Sequence, residues 1–246
     1  MTQAIQKKLN DSAFARWTAL ILVALTMFFG YMFVDVLSPL QNMLESTRGW
    51  SPTIFGLYGG SEFILNVCGF LLVAGIILDK MGVRFTGILS ASLMVLGAGI
   101  KFYGLSNYFY EGGFGYEFLS SFLTDIPASA KLACLGFMVF GCGTEMAGVT
   151  VSRAIVKWFT GKELALAMGL EMAIARLGVF AVFSLSPWVA NWGGDPSVAR
   201  PVAVVGLLLC IGLLTYIAFS VMDFKLDRQT LSLIHISEPT RHSLIS

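Results

Sequence analysis

The chain has 246 residues, of which 56% are hydrophobic and 13% charged, with a net charge of +1 and a mean hydropathy of +0.77. A soluble domain carries roughly a quarter charged residues, so this composition excludes an ordinary water-soluble globule and points to the lipid bilayer as its surroundings. The basic residues are dispersed rather than gathered into a patch, which argues against a nucleic-acid partner.

Residues 1–16 are polar, include Lys7, Lys8 and Arg16, and are read as a cytoplasmic N-terminus. The first apolar run, 17–40, is too long for a signal-peptide core and lacks a small-residue cleavage site, so it is predicted to be an uncleaved span. Further runs occupy 53–78, 84–104, 131–156, 164–190 and 201–222. Each approaches or exceeds the about 20 residues that a helix needs to cross a bilayer. In hydrocarbon every backbone polar group must find its partner within the segment, so all six are expected to be helices. Residues 105–130 form one long outer loop, rich in aromatic residues and glycine (NYFYEGGFGYEF). The expected architecture is an all-α membrane protein with a six-helix bundle over 17–222, followed by the start of a cytoplasmic linker at 223–230. The last stretch, 231–246 (LSLIHISEPTRHSLIS), resembles the translation of a sequencing adapter. It is expected to continue neither the helix nor a plausible loop and is read as a non-native tail. Both histidines, His235 and His242, fall in it.

Basic residues set the orientation. Lys7, Lys8 and Arg16 precede the first span, Lys80 and Arg84 lie between the second and third, Lys157 and Lys162 between the fourth and fifth, and Lys225 and Arg228 follow the sixth. The other side has mainly Arg48, Lys101, Lys131 and Arg200. The excess places both termini in the cytoplasm, with a bacterial inner membrane as the expected home. Cys68, Cys134, Cys142 and Cys210 sit inside apolar runs with no metal-ligand spacing, so they read as buried thiols and no metal or other cofactor is expected. Gly56, Gly59, Gly60, Gly69 and Gly75, then Gly136, Gly141, Gly143 and Gly148, are small residues of the kind that let membrane helices approach closely.

The clearest motif is GIILDKMGVR, Gly75 to Arg84. Gly82 permits a tight turn, and Asp79 can cap a helix or pair with a cation at another helix end. Gly75, Asp79, Lys80, Gly82 and Arg84 match a loop signature, so the chain resembles the major facilitator superfamily. A second stretch, Trp158, Phe159, Gly161, Lys162, Glu163 and Leu164, followed by Ala175 and Arg176, is similar to the branch of that superfamily that carries dipeptides. Glu145 after a glycine cluster, and Tyr31 with Asp35 four residues on, match the same branch. The resemblance covers roughly residues 17–222, although the 105–130 loop is longer than the pattern. It implies the amino-terminal half of a twelve-helix fold, with helices one to three and four to six as inverted repeats. It also implies a substrate site between this half and a missing C-terminal six-helix half, and a conformational-switch role for the 75–84 loop. A chain ending near Asp227 is then not expected to transport alone.

The residues can also be read without the family. A charge at mid-membrane costs about 2.5 to 3.5 kcal/mol on insertion scales and is a functional candidate by default. The candidates are Asp35, Glu62, Glu145 and Arg176. Glu145 lies fourteen residues beyond Lys131, about 21 Å of helix rise, and Arg176 lies as far beyond Lys162 from the other side. Two opposite charges therefore reach similar depth on consecutive helices. That suits a zwitterion, with a carboxylate for an amino group and a guanidinium for a carboxyl group. A simple ion pair holding two helices together would read the same way. The family resemblance assigns Glu145 to the amino end of a peptide and Arg176 to its carboxylate. Asp35 is a further candidate for the amino side. Tyr31 is read either as a hydrogen-bond donor or as packing, and Glu62 as facing water in the cavity. Arg153 is expected to pair with Asp79 or a lipid headgroup. With no histidine before the tail, any proton coupling must use Asp35, Glu62 or Glu145.

No motif for an intramembrane protease is present, so the chain is not read as an enzyme. The expected function is transport of a small-molecule or peptide substrate, by uniport or with proton coupling. An organic or inorganic anion carrier using Arg176 is the alternative within transporters. A membrane receptor or scaffold that moves nothing is the alternative outside them.

Overall fold

The computed structural model describes residues 8–237. Residues 1–7 and 238–246, including Lys7 and His242, lie outside the described residues. No strand occurs among the described residues, so the chain is all-α, as its apolar runs predict. The helices are α1 (Ala13–Val34), α2 (Gln41–Arg48), α3 (Pro52–Leu65), α4 (Leu71–Leu105), α5 (Asn107–Tyr110), α6 (Tyr116–Ser120), α7 (Ala128–Phe159), α8 (Leu164–Ala190) and α9 (Ala199–Ser237).

Five stretches are helical and apolar for long enough to cross a membrane, and one of them, Pro52–Leu105, is long enough to do so twice. It does so because the chain reverses inside α4. Gly82 has φ 76° and ψ 174°, a conformation that only glycine adopts without strain. The reversal shows in the packing. Tyr58 stacks on Phe137 at 4.7 Å and the Glu62 backbone meets Gly141, so α3 runs parallel to α7. Beyond Gly82, Met94 meets Gly143, Gly97 meets Gly136 and Gly104 meets Leu132, so the second arm of α4 runs antiparallel to α7. The six predicted crossings are therefore present.

The other directions follow in the same way. Trp17 and Phe33 of α1 touch Phe159 and Phe140 of α7, so those two helices are antiparallel. Arg16 reaches Glu163 and Tyr31 reaches Arg176, so α1 and α8 are parallel. Thr26 donates to the Gly212 carbonyl and the Leu9 N–H to Gln229, so α9 is antiparallel to α1. Successive spans alternate in direction, and the described ends of the chain meet at one end of the bundle. The 79–84 turn and the Thr160–Glu163 turn lie at that end, where the basic residues cluster in sequence.

Where structure and sequence reading differ, the reasons are local. The first span does not run unbroken through residue 40. It stops at Val34, turns through a 3-10 segment at Ser38–Leu40 and resumes as α2. Pro39 has no N–H to donate and restricts the residue before it, while Ser38 Oγ donates to Asp35 Oδ1 at 3.0 Å, so side chains replace helix bonds there. Span two contains a π-helical turn at Asn66–Phe70. The outer loop is not wholly irregular, since α5 and α6 lie within it. The last helix overruns 222 and continues through Ser237, so residues 231–237 extend it, contrary to the expectation that the tail would not.

The glycines divide. A Cβ on Gly97 would lie 2.4 Å from the Phe140 nitrogen, and one on Gly136 2.6 Å from the Lys101 nitrogen. These two allow α4 and α7 to cross with their backbones in contact, as small residues do in membranes. Gly56, Gly59, Gly60 and Gly148 meet nothing within 4 Å, so within this chain they pack against no helix. Of the four cysteines, Cys142 is buried and Cys134 half-buried, but Cys68 and Cys210 are exposed on the outer face of the bundle.

Candidate functional site

The site is built from α1, α7 and α8. Gly178 of α8 packs on the Phe28 carbonyl of α1, which brings the two helices close enough for side chains one turn away to meet. There the Arg176 guanidinium stands 5.0 Å from the centre of the Tyr31 ring, within cation–π reach. Both line a cavity of about 220 Å³ whose walls include Met27, Gly148, Ser152 and Glu171. Arg176 is exposed and Tyr31 half-buried, so the guanidinium is presented to whatever fills the space beside the bundle.

Glu145, Gly148 and Ser152 are spaced i, i+3, i+7 and share one face of α7. Glu145 is half-buried and stands one turn outward of the cavity wall. Asp35 closes α1 at the break, half-buried, with Ser38 as its hydrogen-bond donor. No ion pair joins Glu145 to Arg176 among the described residues. The structure thus brings Tyr31 and Arg176 into one cavity and sets Glu145 and Asp35 near its outer side.

Two sequence expectations change. Glu62 does not face a water-filled cavity; it is only 5% exposed, wedged between α3 and α7 against Gly141. Lys101 is not a flanking cation of the outer surface. It is fully buried, with Nζ 3.5 Å from the Phe33 carbonyl and 4.4, 5.0 and 4.4 Å from the ring centres of Phe33, Tyr58 and Phe137. Three ring faces and a helix-terminal carbonyl stand in for water around its ammonium. Its electrostatic neighbours are Glu62 and Asp35, and those of Glu62 include Glu145. The interior charges therefore form one neighbourhood rather than isolated pairs. Lys101 had a signal in sequence. Ser90, Met94, Gly97, Lys101 and Gly104 follow spacings of four and three, the stripe that packs on α7. Glu171 is buried in the cavity wall.

The 75–84 signature lies at the far end. Asp79 pairs with Arg153 of α7. Arg84 reaches Asp227 at 2.9 Å and Asp223 at 3.8 Å, Lys157 reaches both acids at 2.8 and 2.7 Å, and Trp158 Nε1 donates to Asp223 at 3.0 Å. Asp223 is fully buried. Lys80 is exposed, and Gly75 lies on the first arm of α4 with open space around it. Asp223 and Asp227 carry no signal in the sequence, because nothing in the one-dimensional pattern pairs the end of α9 with the turn inside α4.

The chain has relatives among known proteins. Over 225 residues, 87% of the chain, it is 24% identical to the lysosomal dipeptide transporter of Pongo abelii. The chain resembles lysosomal dipeptide transporters. The Bos taurus transporter of that name is 31% identical over 101 residues and the Gallus gallus transporter 35% identical over 81. The chain spans 43% of the length of the Pongo abelii transporter, and the matches cover 22% and 18% of the other two. No family model matches the chain, and no solved structure matches it. The similarity agrees with the major facilitator branch that the 158–176 segment resembles, and the chain is a multi-pass membrane protein.

Proposed function

We propose that the chain forms one six-helix half of a carrier that moves small peptides, dipeptides above all, by alternating access, with a further six-helix half supplying the opposite wall. Glu145 takes the peptide's amino group, Arg176 its carboxylate, Tyr31 orients the guanidinium and Asp35 adds negative field on the amino side. The 75–84 turn, through Gly75, Asp79, Lys80, Gly82 and Arg84, is the switch that holds one conformation. In this reading the protein is a carrier and not an enzyme. It works as a uniporter or coupled to protons, and sits in a bacterial inner membrane with both termini cytoplasmic. Residues 231–246 are a non-native tail.

The observation that supports this most is that Arg176 and Glu145 stand at neighbouring depths without forming an ion pair. Their opposite charges are left for the two ends of a zwitterion. Uptake of labelled dipeptide by the longest natural reading frame containing this chain is the test. Glu145→Gln and Arg176→Ala should each abolish it; unchanged uptake in both would refute the peptide reading. One observation favours an anion carrier instead: Arg176 lines the cavity, whereas Glu145 lies beyond its wall. Saturable uptake of an inorganic or carboxylate anion that survives Glu145→Gln but not Arg176→Ala would decide for that reading.

A further inference from the structure

A large concavity lies away from the candidate site. It lies on the outer part of the bundle, between the second arm of α4, the start of α7 and the loop that carries α6. Its volume is about 710 Å³, within the roughly 300–1,000 Å³ of ligand pockets. Leu96, Ile100, Leu132 and Leu135 form its walls, Gly99 its floor, and Phe114 and Phe118 its roof. The roof is fastened by the Tyr103 hydroxyl, which donates to the Phe114 carbonyl at 3.2 Å. Leu132 and Leu135 lie on a different face of α7 from Glu145, Gly148 and Ser152, so the groove is separate from the candidate site.

We infer that this groove holds one acyl chain of a membrane phospholipid with a zwitterionic headgroup. The walls select the chain, since an apolar groove on a bundle surrounded by lipid offers a hydrocarbon tail contacts on several sides at once. Charge at the mouth selects the headgroup. Lys131 directly precedes Leu132, and its ammonium lies over the Phe122 ring and donates to the Leu119 and Phe122 carbonyls. It has no carboxylate partner among the described residues, so a phosphate complements it. Glu117 directly precedes Phe118, is exposed and likewise pairs with no cation among the described residues. It complements the amine of phosphatidylethanolamine. Phosphatidylglycerol, which has no amine, satisfies only Lys131.

Native mass spectrometry of the full chain, incubated with phosphatidylethanolamine or phosphatidylglycerol, tests the proposal. A Cβ on Gly99 meets nothing within 4 Å, so Gly99→Leu folds while placing its side chain in the groove. It should lower the phosphatidylethanolamine adduct about tenfold, the loss expected when about two methylenes are displaced. Lys131→Gln should lower it about fivefold and Lys131→Arg should preserve it. Gly206→Leu fills only the neighbouring groove of about 280 Å³ between α4 and α9, which shares Gly99 with the first, and should leave the adduct unchanged. Equal adducts from the unaltered chain and Gly99→Leu would overturn the proposal. So would a phosphatidylglycerol adduct as strong as that of phosphatidylethanolamine, or a dimer mass in place of a lipid adduct.

Discussion

The two ends of charge in this molecule are handled in opposite ways. At the end with the 79–84 turn, Arg84 and Lys157 share Asp223 and Asp227, Arg153 takes Asp79, Arg16 takes Glu163 and Lys162 takes Asp11. Every ion pair among the described residues lies there. Deeper in the bundle, Arg176 has an aromatic ring, Lys101 has three rings and a carbonyl, and Glu145 has no cation. Paired charges at the rim stabilise one arrangement of helices. Unpaired charges at depth cost insertion energy and are expected to be kept for something that binds. In the proposed reading, the difference separates a part that holds the shape from a part that meets substrate.

Substitutions can break that comparison. The largest effect should come from Asp223→Ala, which leaves the buried Trp158 N–H without its acceptor and Arg84 and Lys157 with Asp227 alone. Removing one partner of a buried network costs about 3–5 kcal/mol, and the loss should appear as a large fall in the melting temperature in detergent. Gly82→Ala comes next. It forces a side chain into a glycine-only backbone conformation at a cost of about 1–3 kcal/mol, and should loosen the rim, with Asp79 and Arg84 losing their partners. Arg176→Ala should change stability by no more than about 0.5 kcal/mol, as exposed substitutions do, yet abolish uptake. If it destabilised the bundle as Asp223→Ala does, the division between holding and binding would fail.

The smallest effect concerns pH. The Lys162 side chain and the Lys8 N–H both bond to the Asp11 carboxylate and hold it below the ordinary aspartate range. A carboxylate depressed in the folded state contributes stability above its unfolded pKa of about 3.9 and loses that contribution as pH falls through the folded value. Asp11→Asn should therefore lower stability slightly at neutral pH, and its difference from the unaltered chain should vanish as pH falls below about 4. A change at pH 7 larger than that of Asp223→Ala would contradict the ranking.

The crossings were legible because hydrophobic run length is a one-dimensional quantity. The run 164–190 coincides with α8, and Gly82 announced the reversal within α4. The break at Asp35 was less visible, since Pro39 acts on a stretch whose hydropathy alone reads as continuous. Arg176 and Tyr31 were legible as candidates because a charge or a hydroxyl inside an apolar run stands out. The role of Lys101 was not, because a lysine near the end of a run reads as a flank unless the packing stripe through Gly97 and Gly104 is followed. The Asp223 network joins residues about 140 positions apart, which no local pattern encodes. The glycines show the same limit: Gly136 and Gly56 look alike in sequence, yet only Gly136 touches another backbone.

The most direct test of the central claim uses end-blocked dipeptides on the longest natural reading frame that contains this chain. Uptake of the free dipeptide should be competed by neither its N-acetylated nor its C-amidated form. Glu145→Gln should selectively erase discrimination against the acetylated peptide, and Arg176→Ala discrimination against the amidated one. If both blocked peptides compete as well as the free one, or if either variant erases both discriminations together, Glu145 and Arg176 do not divide the two ends of a zwitterion between them.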